Sequence, residues 1–225
     1  MLNERMALLL IGSPKVKNST SESLGDYLLE GLDKRGYTCE KLNVRSVVNK
    51  NIEELFNKVN NADILIISSS LYVDSLPSPL IRAFEFITNN RNEKKITKKQ
   101  NLIAIINSGF PESFHNHIAL RICENFASKN NFIWLGGFAL GGGAAINGVP
   151  IKKLGRMTRN IVKALDMAIE SISNNERIPM EAMELMSRKL LPINIYTFIA
   201  NRGWKIQAKK FNVSRDLYAR PYIKE

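Results

Sequence analysis

Three stretches, "MALLLI" (Met6–Ile11), "DILIIS" (Asp63–Ser68) and "NLIAIIN" (Asn101–Asn107), are almost unbroken hydrocarbon. A strand with one face in water alternates apolar and polar side chains. A run that is apolar at both parities must be covered on both faces, as in a parallel sheet layered by helices. Two further strands are expected at Thr38–Asn43 and Phe132–Leu140, and the more polar "TCEKLN" of the first suits an edge. Helical periods fall between them, near Glu22–Arg35, Ile52–Asn60, Pro79–Asn90 and Ile118–Ser128. Leu154, Met157, Ile161, Leu165, Ala168 and Ile172 then share one face of a single long helix expected over Ile151–Ile172. Strict alternation of strand and helix predicts an α/β fold, an open, doubly wound sheet complete by about Asn174.

After Asn175 the strand signal ends. Pro179 opens a short helical stretch, Pro192 breaks it, and "NIYTFIANRGWKIQAKKF" is amphipathic again. The expected organisation is therefore a domain over 1–175 and a basic, mostly helical extension over 176–225. Charge is placed to match. Of the net +11, the first 149 residues hold 17 Lys/Arg against 14 Asp/Glu, and the remainder 15 against 7. Electrostatic attraction to a partner thus concerns the C-terminal third. Trp204 beside Arg202, Lys205, Lys209 and Lys210 fits an amphipathic cover with solvated lysines. It also fits contact with an anionic membrane surface, whereas no motif supports nucleic acid. Five of the seven methionines lie between Met157 and Met186, a composition suited to core packing or to an adaptable apolar contact.

Cys39 and Cys123 stand in no metal-binding or CxxC spacing, which points to a reducing, cytoplasmic setting and away from zinc or iron–sulfur chemistry. The uncharged stretch Phe132–Ile151 reaches the ~20 residues of a membrane span. Its six glycines, asparagine and proline instead describe a buried strand entering a glycine loop.

The candidate site begins where the first strand ends. "GSPKVKNSTS" (Gly12–Ser21) presents hydroxyls, an amide and two lysines just ahead of a helix. In an open parallel sheet, ligands bind beyond the carboxyl ends of the strands. A helix N-terminus there offers unpaired N–H groups and partial positive charge to an anion. The spacings GxxxxGK[ST], GxGxxG and Cys-x5-Arg are all absent, which removes a Walker nucleotide site, a dinucleotide fingerprint and a cysteine phosphatase loop. A terminal monophosphate such as that of FMN fits the remaining chemistry. A capped helix start with solvated lysines accounts for the same residues.

"GSPKVKNSTS" resembles the phosphate loop of the NAD(P)H-dependent FMN reductases, often written GSPRxxxxT. "ADILIISSSLYVDSLPSPLIRAFEFI" resembles the third strand and flavin loop of the same family, PxYxxSxPxxLKxF. The resemblance runs from about Met6 to Asn174. It implies a flavodoxin-like five-stranded sheet of order 2-1-3-4-5, FMN as cofactor and NADH or NADPH as co-substrate. It places Ser13, Lys15, Asn18, Ser19, Thr20 and Ser21 at the phosphate, and Leu71, Tyr72, Val73, Asp74 and Ser75 along the isoalloxazine ring. Ser108, Gly109 and Phe110 fall at the flavin's edge. Ser70 stands where the family usually has proline, and Asp74 where it often has glycine. The Asp74 backbone N–H, rather than the carboxylate, is expected to face flavin N5. The resemblance further implies a homodimer and hydride passing from NAD(P)H to flavin and then to a second acceptor that is quinone-like, another flavin or another small molecule. A flavodoxin-like electron carrier and a flavin-free scaffold with a basic docking tail are the alternative functions.

Both histidines lie in "NSGFPESFHNHIAL". His115 and His117 serve either as ordinary loop residues or as a proton donor at the flavin edge. With Glu112 they lack a fourth ligand, so no metal is expected.

Overall fold

The computed structural model describes residues 5–15, 17–220 and 222. Five strands, β1 (Arg5–Ile11), β2 (Tyr37–Asn43), β3 (Ile64–Ser70), β4 (Gln100–Asn107) and β5 (Phe132–Leu140), pair in parallel in the order β2-β1-β3-β4-β5. The doubly apolar runs behave as their composition requires. Leu9, Ile11, Ile66, Ile103 and Ile105 face a core closed by α1 (Thr20–Asp33), α6 (Arg159–Ser173) and α7 (Met180–Ser187). Their neighbours Leu8, Leu10, Leu65, Ile67 and Ile106 face the opposite core. That side is closed by α2 (Val44–Lys50), α3 (Ile52–Asn61), α4 (Ser78–Glu93) and α5 (His117–Lys129). Each fully buried aliphatic side chain contributes about 1.5–3 kcal/mol relative to exposure, so neither face could be left in water.

Three details depart from the sequence expectations. The short helix α2 was not foreseen; Asn43 ends β2 and caps it, its side chain accepting from the Ser46 N–H. The expected helix Ile151–Ile172 is two elements, a 3-10 segment over Ile151–Thr158 and then α6. Gly155, at φ 56° and ψ −128°, breaks the α path between them. Apolar spacing reports which face is buried and is blind to such a break. The third departure concerns where the sheet domain stops.

Cα packing divides the chain into residues 1–190 and 191–225. Opposite Leu102 and Ile103, β5 inserts Leu135 as a bulge. The Leu135 carbonyl accepts from the Ile178 N–H at 2.8 Å, and Ile178, Ala182, Leu185 and Met186 complete the first core. The stretch from the expected boundary at 175 to Leu190 thus packs with the sheet. Residues 191–225 contain α8 (Ile193–Lys210), followed by turns. Among the described residues, no helix is long and apolar enough to cross a membrane.

Candidate functional site

The carboxyl ends of β1, β3 and β4 deliver three loops to one edge of the sheet, and each is built by local chemistry. After β1, Ser13 is buried and its Oγ accepts from the Lys15 N–H at 3.3 Å, tightening the turn. Ser19 caps α1, its Oγ accepting from the Glu22 N–H at 3.0 Å. The Glu22 carboxylate reaches back to the Asn18 N–H at 2.9 Å, where Asn18 takes φ 54°. This is a variant of the capping box, with Glu22 taking the N–H of Asn18, one residue ahead of the cap, and the Thr20 and Ser21 N–H groups of the first turn have no partners inside the helix. Lys15 and Lys17 stand exposed beside them.

The Glu22 carboxylate does not stand alone there. It pairs with Lys41 at 3.1 Å, as Asp26 does at 2.9 Å. Burial works against the Lys41 ammonium, yet the hydrogen bonds it donates to Asp26 and Glu22 outweigh it and hold the pKa above the ordinary lysine value. The acid that shapes the loop is thereby offset by a cation of its own.

Ser21 and Thr20 point inward. The Ser21 Oγ accepts from Asn107 Nδ2 at 2.9 Å, its carbonyl accepts from the Ser68 hydroxyl at 2.7 Å, and the Thr20 hydroxyl donates to the Gly143 carbonyl at 2.8 Å. Their side chains therefore position the helix start, and their backbone amides remain as donors. Asn107, Ser68, Glu22 and Asn116 were all missed as site residues by sequence reasoning. Asn107 carried one signal, an amide closing an otherwise aliphatic strand.

After β3, Leu71 N donates to the Asn107 carbonyl at 2.8 Å, and the chain turns back at once. Tyr72 and Ser75 exchange both backbone hydrogen bonds at 2.9 Å, with Val73 at φ 47° and Asp74 at φ 56° between them. Two successive left-handed residues make this a type I′ turn, a geometry that favours Asn-Gly and penalises a β-branched residue. Val73 is nonetheless there, 97% exposed, with Tyr72 half-exposed beside it. Just before the turn, the Ser70 hydroxyl is buried with no partner among the described residues.

The loop after β4 is fastened to the loop after β5. Ser108 N donates to the Leu140 carbonyl at 3.0 Å, Gly143 N to the Ser108 carbonyl at 2.8 Å, and Gly142 N to the Phe110 carbonyl at 2.6 Å. Buried Asn116 adds a side-chain bond to the Leu140 carbonyl at 3.0 Å. The β5 loop also reaches the first loop. Gly148 has φ 78°, and a Cβ there would collide with the Asn18 carbonyl. Outside this framework, the His115 ring packs on Phe110 and Phe114 at centroid distances of 4.7 and 4.2 Å, and both phenylalanines are exposed. His117 opens α5 at the surface. Among the described residues, no group of three or more His, Cys, Asp or Glu side chains is placed to hold a metal ion.

The three loops thus combine unpaired helix-start amides, two exposed lysines, a partnerless buried hydroxyl and an exposed aromatic rim. That donor set fits a flat aromatic cofactor with a terminal phosphate. The fold has known counterparts. An FMN-dependent NADH-azoreductase from Bacillus anthracis, solved with FMN, superposes with a TM-score of 0.55 at 15% identity, over 76% of this chain and 100% of its own. An apo NADH:FMN oxidoreductase gives 0.59 at 15% identity, over 84% and 96%. RosB, solved with 8-demethyl-8-formylriboflavin-5′-phosphate, gives 0.56 at 13% identity, over 98% and 94%. No curated protein matches the chain. The sequence profile of the NADPH-dependent FMN reductases matches residues 6–122, more than half of the length. This chain belongs to the NADPH-dependent FMN reductase family, as a flavodoxin-like oxidoreductase with FMN as its cofactor and NAD(P)H as co-substrate.

Proposed function

We propose that the loop Gly12–Ser21 holds the FMN phosphate, and that the flavin ring lies between the Tyr72–Ser75 turn and Ser108–Phe110. The observation that carries this reading is the helix start itself. Ser19 and Glu22 satisfy one another's surroundings and leave the Thr20 and Ser21 amides to an anion, with Lys15 and Lys17 beside them. When bound, FMN supplies the redox chemistry, accepting hydride from NAD(P)H and handing electrons on. The protein's part is to bind and orient. The type I′ turn fixes the Val73 and Asp74 peptide groups, so that backbone rather than the Asp74 carboxylate meets the ring. The exposed Tyr72, Phe110 and Phe114 give a planar second acceptor, quinone-like or another flavin, an apolar face to stack upon. The assembly we propose is a homodimer in the cytoplasm, where Cys39 and Cys123 stay free thiols.

The deciding experiment is the visible spectrum after FMN loading and desalting, followed by NADH and NADPH oxidation with a quinone and with free flavin. One flavin per chain and turnover with either nicotinamide are expected. Flavin retained without nicotinamide oxidation would make the protein an electron carrier. A colourless chain would refute the assignment of the first loop and leave a scaffold.

A further inference from the structure

We propose that the C-terminal unit, residues 191–225, is an interfacial module that lies on anionic lipid bilayers. From Leu191 onward the chain holds seven Lys/Arg and two Asp/Glu, and no acid occurs before Asp216. At the helical period of α8, Ile195, Ile199, Ile206, Tyr196, Ala200, Ile193 and Trp204 gather on one half of the cylinder. Arg202, Lys205 and Lys209, with Asn194 and Asn201, occupy the other half, where Phe198 is the one large apolar exception, while Lys210, in the last turn, falls within the apolar half.

The apolar half is not buried. Ile195, Ile199, Ile206 and Trp204 are all exposed, Trp204 by 64%, and Phe211 and Tyr218 continue the exposed series beyond the helix. Leaving this many large side chains in water is costly, so a partner must cover them.

Charge decides which partner. A second copy of this chain offers residues 1–190, which carry 25 Lys/Arg against 19 Asp/Glu and are themselves positive. Nucleic acid would answer the lysines and leave the isoleucines exposed. The interface of an anionic bilayer answers both, since it accepts apolar side chains to a shallow depth, seats aromatic rings at headgroup level and attracts lysine and arginine. α8 is too polar to span, so the module lies in the plane of the surface.

The test is sedimentation of the full-length, FMN-loaded protein with phosphatidylcholine vesicles and with vesicles that also carry phosphatidylglycerol. Binding is expected only to the second kind, and it should fade as salt approaches ~1 M, where charges are screened beyond ~3 Å. Lys205→Gln with Lys209→Gln should weaken binding roughly thirtyfold. Ile199→Ser with Ile206→Ser should also weaken it at unchanged charge, and both pairs should keep the flavin spectrum and thermal midpoint of the parent. Equal binding to both vesicle types, or to neither, would overturn the proposal. So would capture of a labelled single-stranded oligonucleotide without vesicle binding. A dimer in solution that the Ile→Ser pair dissociates, again without vesicle binding, would assign the face to a second copy instead.

Discussion

Asn107 Nδ2 donates to Ser21 Oγ and to the Ser69 carbonyl, each at 2.9 Å, so one buried amide at the end of β4 joins the start of α1 to the end of β3. The Asn107 backbone carbonyl also accepts from Leu71 N, just ahead of the Tyr72–Ser75 turn. Asn107→Ala should lower stability by about 2 kcal/mol, because it strands buried acceptors that cannot reach water. Ser21→Ala should cost less, and a double-mutant cycle should return a coupling of about 1 kcal/mol. Urea midpoints of the four proteins measure this. Strict additivity would show that the contact contributes nothing.

The turn at Val73 stores strain. A β-branched residue at φ 47° costs on the order of 1–3 kcal/mol, and Val73 buries nothing in return. Val73→Asn, which tolerates the left-handed region, should raise stability by about 1 kcal/mol in thermal or denaturant melts. An unchanged or lowered midpoint would mean that valine does not strain this turn.

Arg91 is 3% exposed and has no carboxylate partner among the described residues. Its guanidinium donates to the Asn130 carbonyl, Gln100 Oε1 and the Lys98 carbonyl, and lies 4.4 Å from the centre of the Phe132 ring. Burial lowers its pKa. Because three acceptors depend on this one planar fork, Arg91→Ala should destabilise by about 3 kcal/mol. Arg91→Lys should recover little of that loss, since an ammonium cannot reproduce the fork. A lysine variant as stable as the parent would show that charge alone matters.

Alkaline pH should unfold the protein in a defined window. Burial, then the Asp33 charge, push the Cys39 thiol up to about 11 from 9.0. Burial and the hydrogen bond to Asp166 push the Tyr27 hydroxyl up to about 12 from 10.0. Both groups hold their protons more tightly when folded. Their stabilisation is therefore complete below the unfolded pKa values and declines between pH 9 and 12. Thermal midpoints should fall across that range, and the Tyr27→Phe variant should lose the upper part of the decline. The same shift keeps Cys39 protonated near neutrality, so alkylating reagents should label it only slowly in the native state.

The five strands and the two apolar faces were legible because each rests on a local pattern, while the strand order followed from the family resemblance. A strand apolar at both parities admits one environment, and hydroxyls crowded before a helix admit few roles. What stayed hidden depends on contacts distant in sequence. Nothing near Asn107 announces Ser21, 86 positions away. The bulge at Leu135 that recruits Ile178, and with it α7, is equally invisible to periodicity. Gly155 was visible as a residue, but apolar spacing on either side continued through it and concealed the break. The hydroxyls of Ser13, Ser19 and Ser21 suit a phosphate by their chemistry, and that chemistry gives no sign of the hydrogen bonds these side chains make within the protein.

Apart from the Asn116 side chain, the loops after β4 and β5 are joined by N–H and C=O groups, which every residue but proline supplies in full. Shape at that edge of the sheet is consequently almost indifferent to the side chains of Phe110, Phe114 and Ile118, which are left outside the framework. Gly148, whose Cβ would meet the Asn18 carbonyl, and Asn107, whose amide bonds Ser21 and the Ser69 carbonyl, are by contrast built into the framework. The protein is thus divided, at this edge, into a framework that fixes the backbone and a rim that hangs outside it. Random change confined to the rim would alter the exposed surface there without altering the backbone that carries it.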